Sequence, residues 1–251
     1  MPEWLQAGGW GLLAGSALLV GAAVGFLLPV PRHVVASIMG FGAGVLLSAV
    51  AFDLISDANE KGGLTPTVLG ASAGAVVYTG CNIILARRGA RHRKRSGDQQ
   101  PSEQEQGGSG AALALGALLD GIPESIVIGT SLLGGGAVGA VTVAAVFISN
   151  VPEGLSSAAG MRNAGRSARY VFGLWTAIAV VSGLAAVAGY TLLGGAPAAA
   201  LAAVTAVAAG AILAMVADTM IPEAFENAHL LIGLVTVAGF LVAFGLSSSG
   251  G

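Results

Sequence analysis

Asp120-Gly121-Ile122-Pro123-Glu124 and Asn150-Val151-Pro152-Glu153-Gly154 each set a proline and a carboxylate inside a long apolar run. If those runs cross a bilayer, the acids lie where lipid should be. A charge there costs at least about 2.5–3.5 kcal/mol even on the lenient insertion scale, so intramembrane acids are functional candidates. The surrounding composition supports a bilayer. Of 251 residues, 55% are hydrophobic and only 10% charged, with a mean hydropathy of +0.82. A soluble domain carries about 25% charged residues. The net charge of −2 says less than where the charges fall, and nothing suggests a nucleic-acid partner. Cys81 is the one cysteine, which rules out an intrachain disulfide. Met1 to Gly8 holds Glu3 and no Lys or Arg, unlike the basic start of a cleaved signal peptide, so the first apolar run is expected to be a retained span.

With ~20 mostly apolar residues per crossing, the chain divides into eight spans at about 8–28, 34–55, 65–86, 110–133, 137–160, 169–192, 198–221 and 230–247. The expected fold is an all-α polytopic membrane protein, with 1–251 forming a single transmembrane transport domain. Between spans three and four, residues 87–109 hold Arg87, Arg88, Arg91, Arg93, Lys94 and Arg95, then Asp98, Glu103 and Glu105. Their low hydrophobicity points to a disordered loop. Cytoplasmic loops carry the excess of Lys and Arg. With both termini outside, ten of the eleven basic residues fall inside and only Lys61 falls outside. A multi-pass protein of the cell membrane, inner or plasma, is expected. Gly11/Gly15, Gly21/Gly25, Gly40/Gly44, Gly70/Gly74 and Gly135/Gly139 are spaced to let helix backbones approach closely in lipid.

The ionisable residues within spans are Asp53, Asp120, Glu124, Glu153, Asp218 and, at the edge, Glu223, with no Lys or Arg at matching depth. Such carboxylates must stay protonated or share a cation. Asp120 and Glu124 are four apart and Asn150 and Glu153 three apart, so each pair projects from one helix face. A hairpin turning at Gly134-Gly135-Gly136 would bring the pairs to similar depth. Pro123 and Pro152 each remove a helical hydrogen bond, to the carbonyls of Leu119 and Ile148, which suggests interrupted helices of the kind found at ion sites. Asp53 is either a site ligand or a carboxyl capped by Ser48 or Ser56. Asp218 is placed alike, near the end of its span. Glu223, Glu226 and His229 are expected in a loop, as are the lone His33 and His92.

In these residues the chain resembles the Zrt/Irt-like (ZIP) family of divalent metal transporters. The fourth span reads Asp120-Gly-Ile-Pro-Glu-Ser and the fifth Ser149-Asn-Val-Pro-Glu-Gly, similar to the family's His-Asn-x-Pro-Glu-Gly pattern. Phe41-Gly-Ala-Gly-Val-Leu-Leu with Asp53 in span two, and Ala209 through Glu223 in span seven, extend the likeness over nearly the whole chain. The resemblance implies a ZIP-like bundle of eight transmembrane helices with Pro-interrupted fourth and fifth helices. It implies metal ligation by Glu124 and Glu153, with Asp120 at the usual histidine position, Asn150 at the Asn or Asp position, and Ser149 where His or Gln is common. Asp53 and Asp218 would lie on the path in or out. Gly121 replaces the usual Asn and the sixth span has no acid, so one main site is expected. An oxygen-rich set without His or Cys suits a harder ion, leaving Zn2+, Fe2+ and Mn2+ as cargo, with no resident cofactor.

The expected function is import of a divalent cation by alternating access. Divalent metal ions and the lipid bilayer are the partners, and a homodimer is allowed for. A paired-aspartate hydrolase using Asp53 and Asp120 lacks a Gly-x-Gly-Asp step, and a zinc hydrolase lacks His-Glu-x-x-His. No enzyme is expected. The alternative is a proton-coupled permease for a small cationic or neutral organic solute.

Overall fold

The computed structural model describes residues 1–134, 137–227 and 230–249. Those residues form ten α-helices and no strand: α1 (Glu3–Leu27), α2 (Arg32–Ser48), α3 (Ser56–Gly62), α4 (Leu64–Leu85), α5 (Ser109–Ser131), α6 (Ala137–Asn163), α7 (Ala168–Leu193), α8 (Ala198–Met215), α9 (Ile221–Asn227) and α10 (Ile232–Ser249). Among the described residues, six helical runs are long and apolar enough to cross a membrane: Glu3–Leu27, Arg32–Gly62, Leu64–Ala90, Ser109–Ser131, Ala168–Leu193 and Ala198–Glu226. The chain is thus a polytopic helical bundle built for a membrane. Gly135 and Gly136 of the expected hairpin turn, the Gly135/Gly139 pair and His229 lie outside the described residues.

The helix ends follow from local chemistry. Pro31 and Pro197 stand just before α2 and α8 with φ of −60° and −56°, preset for entering a helix. Ser167 Oγ accepts the Tyr170 N–H at the start of α7. Gly63, at φ +80°, supplies the left-handed turn between α3 and α4.

Close helix contacts organise the bundle. α1 lies along α6 and α7, α4 along α8, α2 along α10, and α5 along α7. On three of these seams glycines face the partner backbone reciprocally. A Cβ at Gly21 of α1 would overlap the Val151 carbonyl oxygen, and one at Gly154 of α6 would overlap that of Leu18. Gly74 and Gly210 do the same between α4 and α8, as do Gly44 and Gly239 between α2 and α10. Membrane helices gain little from apolar burial against one another, so this contact area holds them. The largest core cluster joins Met39 and Leu46 of α2, Tyr78 of α4, and Met215 and Met220 at the α8 end. Gly210→Ala is expected to force α4 and α8 apart and lower stability by about 1–3 kcal/mol. Gly80→Ala, which meets open space, should not; thermal unfolding of the two proteins in detergent makes the comparison.

The sequence suggested interruption at the prolines, yet α5 and α6 run through Pro123 and Pro152 as single helices. A proline is tolerated mid-helix in a membrane where nearby hydroxyls and helices supply partners. The nearby serines do not serve the freed carbonyls of Leu119 and Ile148: Ser125 Oγ donates to the Gly121 carbonyl at 2.7 Å and Ser149 Oγ to that of Val146 at 2.9 Å. The departures from α geometry lie elsewhere. A π turn, Ala49–Ile55, holds Asp53, and another, Val216–Met220, holds Asp218.

Candidate functional site

α5 and α6 present Asp120, Glu124 and Glu153 inward, at 3%, 1% and 5% exposure. Asp120, Asn150 and Glu153 line one narrow pocket of about 10 Å3, room for roughly one water, with Gly121, Leu18 of α1 and Trp175 of α7. Three of the four residues expected to face one another thus share a pocket, while Glu124 is not among its lining residues. Glu124 is close enough to Glu153 and Asp120 for their charges to interact. Asn150 Nδ2 donates to the Ala14 carbonyl at 2.9 Å, tying the site to α1. Ser149 is fully buried, and its hydroxyl is spent on its own helix.

The expectation that no basic residue reaches this depth is wrong. Arg93 grips Asp120 as a fork, Nε to Oδ2 and Nη2 to Oδ1, both at 2.8 Å. Its Nη2 also donates to the Tyr78 hydroxyl at 2.7 Å, and that hydroxyl donates to Asp120 Oδ1 at 2.6 Å. Asn82 of α4 completes the ring, its Oδ1 accepting from Arg93 Nη1 at 2.7 Å. Lys94 Nζ lies 2.8 Å from Glu153 Oε2 and 3.4 Å from Asp120 Oδ2. Its angles suit no hydrogen bond, so that contact is one of charge. Arg93 and Lys94 are 3% and 5% exposed.

Both cations come from the polar segment after α4, where composition points to disorder. The structure places that segment against the bundle. Gly89, at φ +104°, turns the chain back. Gly116 of α5, having no side chain, leaves the gap in which the Arg93 stem lies. Partly buried His92 is held below its ordinary pKa by burial and then by Arg91 and Arg95, so it adds no charge here at neutral pH. At the far end, Glu103 receives Arg166 Nη1 at 2.7 Å and the Gly110 and Gly108 N–H groups. These bonds, the Arg166 one foremost, hold it well below its ordinary 4.5, at about 2. Stability from that clasp is present above 4.5 and fades only as pH falls towards 2, so it persists at physiological pH.

Three Pro-Glu steps reach the interior, not two. Glu223, expected in a loop, is 1% exposed. Its Oε1 accepts from the Ser96 N–H at 3.0 Å and the Ser96 hydroxyl at 2.5 Å, with the Ser156 hydroxyl oxygen 3.2 Å away. Pro222-Glu223 repeats Pro123-Glu124 and Pro152-Glu153, a signal legible in the sequence. Tyr78 was missed because a lone tyrosine in an apolar span carries no pattern.

Asp53 and Asp218 are not part of the central group. Asp53 accepts from the Ser247 hydroxyl at 2.5 Å, not from Ser48 or Ser56, and lines an open cleft of about 350 Å3 with Asp57, Lys61 and Thr205. Asp218 accepts from Asn82 Nδ2 at 3.3 Å and lines a separate cavity of about 200 Å3 with Arg91, His92 and Arg95. Among the described residues, no three His, Cys, Asp or Glu side chains converge closely enough to hold a metal ion. Neither a protein-family model nor a curated protein matches the chain.

Proposed function

We propose that the chain imports a divalent metal cation through a carboxylate site formed by Asp120, Glu124 and Glu153, with Asn150 beside them. One observation carries this reading: Glu124 Oε1 and Glu153 Oε1 are buried without a hydrogen-bond partner. An orphaned buried carboxylate oxygen is costly and calls for an explanation. A cation that visits the site supplies one. Tight ligation needs a rearrangement in which Arg93 and Lys94 withdraw and the three carboxylates close together. Alternating access involves movement of that kind. α6 and α10 complete the eight-span reading, with both termini outside. Ser149 stays a weaker ligand, and Asp53 and Asp218 flank the path on either side. The likeness to the ZIP family belongs to this proposal.

A second reading gains from the same site. The groups now held by Asp120 and Glu153 are a guanidinium and an alkylammonium, so a permease for a small organic cation suits the chemistry of these carboxylates too. Thermal stabilisation of the purified protein by Mn2+ or Zn2+, with competition among metals for uptake into proteoliposomes, separates the two. Stabilisation by small guanidinium or amine solutes with no response to metal would sink the metal reading. Carboxylates must be ionised to take a metal, and protons compete for them. Uptake is accordingly expected to fall as the outer medium is acidified, and flux measured across a pH series checks the sign.

A further inference from the structure

We propose that the segment after α4 is a tethered cationic plug, and that its Arg93–Lys94 pair and a divalent cation occupy the carboxylate site in turn. The inference rests on the metal reading above and names the regulation of that site. Charge is the first ground. Arg93 and Lys94 together bring two positive charges to Asp120, Glu124 and Glu153, as one divalent cation would. Either occupant leaves the same formal balance, whereas both together would leave a net positive charge at a site shut off from water. Buried charge tolerates that poorly.

Geometry supplies the second ground. Arg93 occupies both oxygens of Asp120, and Lys94 covers one oxygen of Glu153. Lys94 also lines the separate cavity that holds Asp218, so it is common to that cavity and the carboxylate pocket.

The third ground is that the segment is built to be docked and released. Its bonds are polar and come from two helix groups. Glu223 holds Ser96, and Arg95 reaches the Pro222 carbonyl at 2.8 Å and the Glu226 carboxylate. From α6, Asn163 donates to the Ser96 carbonyl at 3.1 Å and Ser156 to that of Lys94 at 2.5 Å. Gln100 bridges the Arg93, Arg95 and Ser157 carbonyls. Such bonds exchange readily for water, and residues this polar expose little apolar surface on leaving. Gly89 and Gly108, at φ +104° and +81°, stand at the two ends as turning points.

The test uses the full chain in nanodiscs, with Mn2+ and Zn2+ as probes. Glu223→Gln weakens the latch without touching the carboxylate site, and Arg93→Gln/Lys94→Gln removes the competing charges. If the plug is docked 90–99% of the time, releasing it should tighten apparent metal affinity about 10- to 100-fold. Ser96→Cys in a Cys81→Ser background reports release independently. A water-soluble maleimide should label it slowly without metal and about tenfold faster or more with saturating Mn2+. Should Arg93→Gln/Lys94→Gln fail to fold, Glu223→Gln and the labelling experiment decide alone. Metal binding of unchanged affinity in the variants, with labelling indifferent to Mn2+, overturns the plug and leaves the metal site standing. No binding of either metal by any form overturns the metal reading and the plug with it.

Discussion

Asp120→Ala is expected to destabilise the protein by about 1–3 kcal/mol: breaking a buried ion pair from one side costs about 3–5 kcal/mol where the stranded charge must stay, but a segment docked 90–99% of the time can leave for about 1–3 kcal/mol. The side chain removed is small. What it leaves behind is the Arg93 guanidinium, 3% exposed, without the two oxygens its fork addresses and with only Asn82, Tyr78 and a backbone carbonyl as partners. Tyr78 loses its acceptor in the same step. Arg93→Ala/Asp120→Ala should restore much of the loss, because no charge is then stranded. The double-mutant cycle isolates the pair from the packing change, and thermal or chemical unfolding in detergent reads it. A single variant as stable as wild type would mean that Arg93 does not reside on Asp120 in the membrane.

On the proposed metal reading, Glu124→Gln is expected to stop metal uptake while leaving the fold at least as stable. Its two effects run in opposite directions for one reason. Glu124 is 1% exposed, and its Oε1 has no partner. As a structural residue it is a liability, and removing a buried charge without a cation partner should raise the unfolding temperature or leave it unchanged. As a ligand its loss should be severe. Changing groups that merely orient metal ligands costs about 10- to 100-fold, so loss of a ligand should cost at least that. Glu153→Gln should impair uptake to a similar extent but lower stability as well, since Lys94 loses its nearest carboxylate. Proteoliposome flux beside an unfolding curve for each variant makes the comparison. Wild-type uptake in both variants would sink the site assignment.

The likeness of α5 and α6 as carriers of acids was legible because both signals are local. Apolar runs of bilayer length and the spacing of Asp120 with Glu124, or Asn150 with Glu153, depend only on residues within one helix. The close seams were legible on the same ground, as Gly21, Gly44 and Gly74 do face neighbouring backbones. Glu223 could have been found from its Pro-Glu step but sits next to polar residues that read as a loop.

By itself, then, the sequence determined a helical membrane bundle whose interior holds more acid than lipid allows. It did not determine what answers that acid. Arg93 and Asp120 are 27 residues apart, and which of six clustered basic residues turns inward depends on the bend at Gly89 and the gap at Gly116. Lys94 reaches Glu153 only once α6 is packed in place. Hydropathy treats the whole segment as solvated because each of its charges, taken alone, prefers water. The tertiary structure decided otherwise, since Asp120 and Glu153, buried in the bundle, pair with two of those cations.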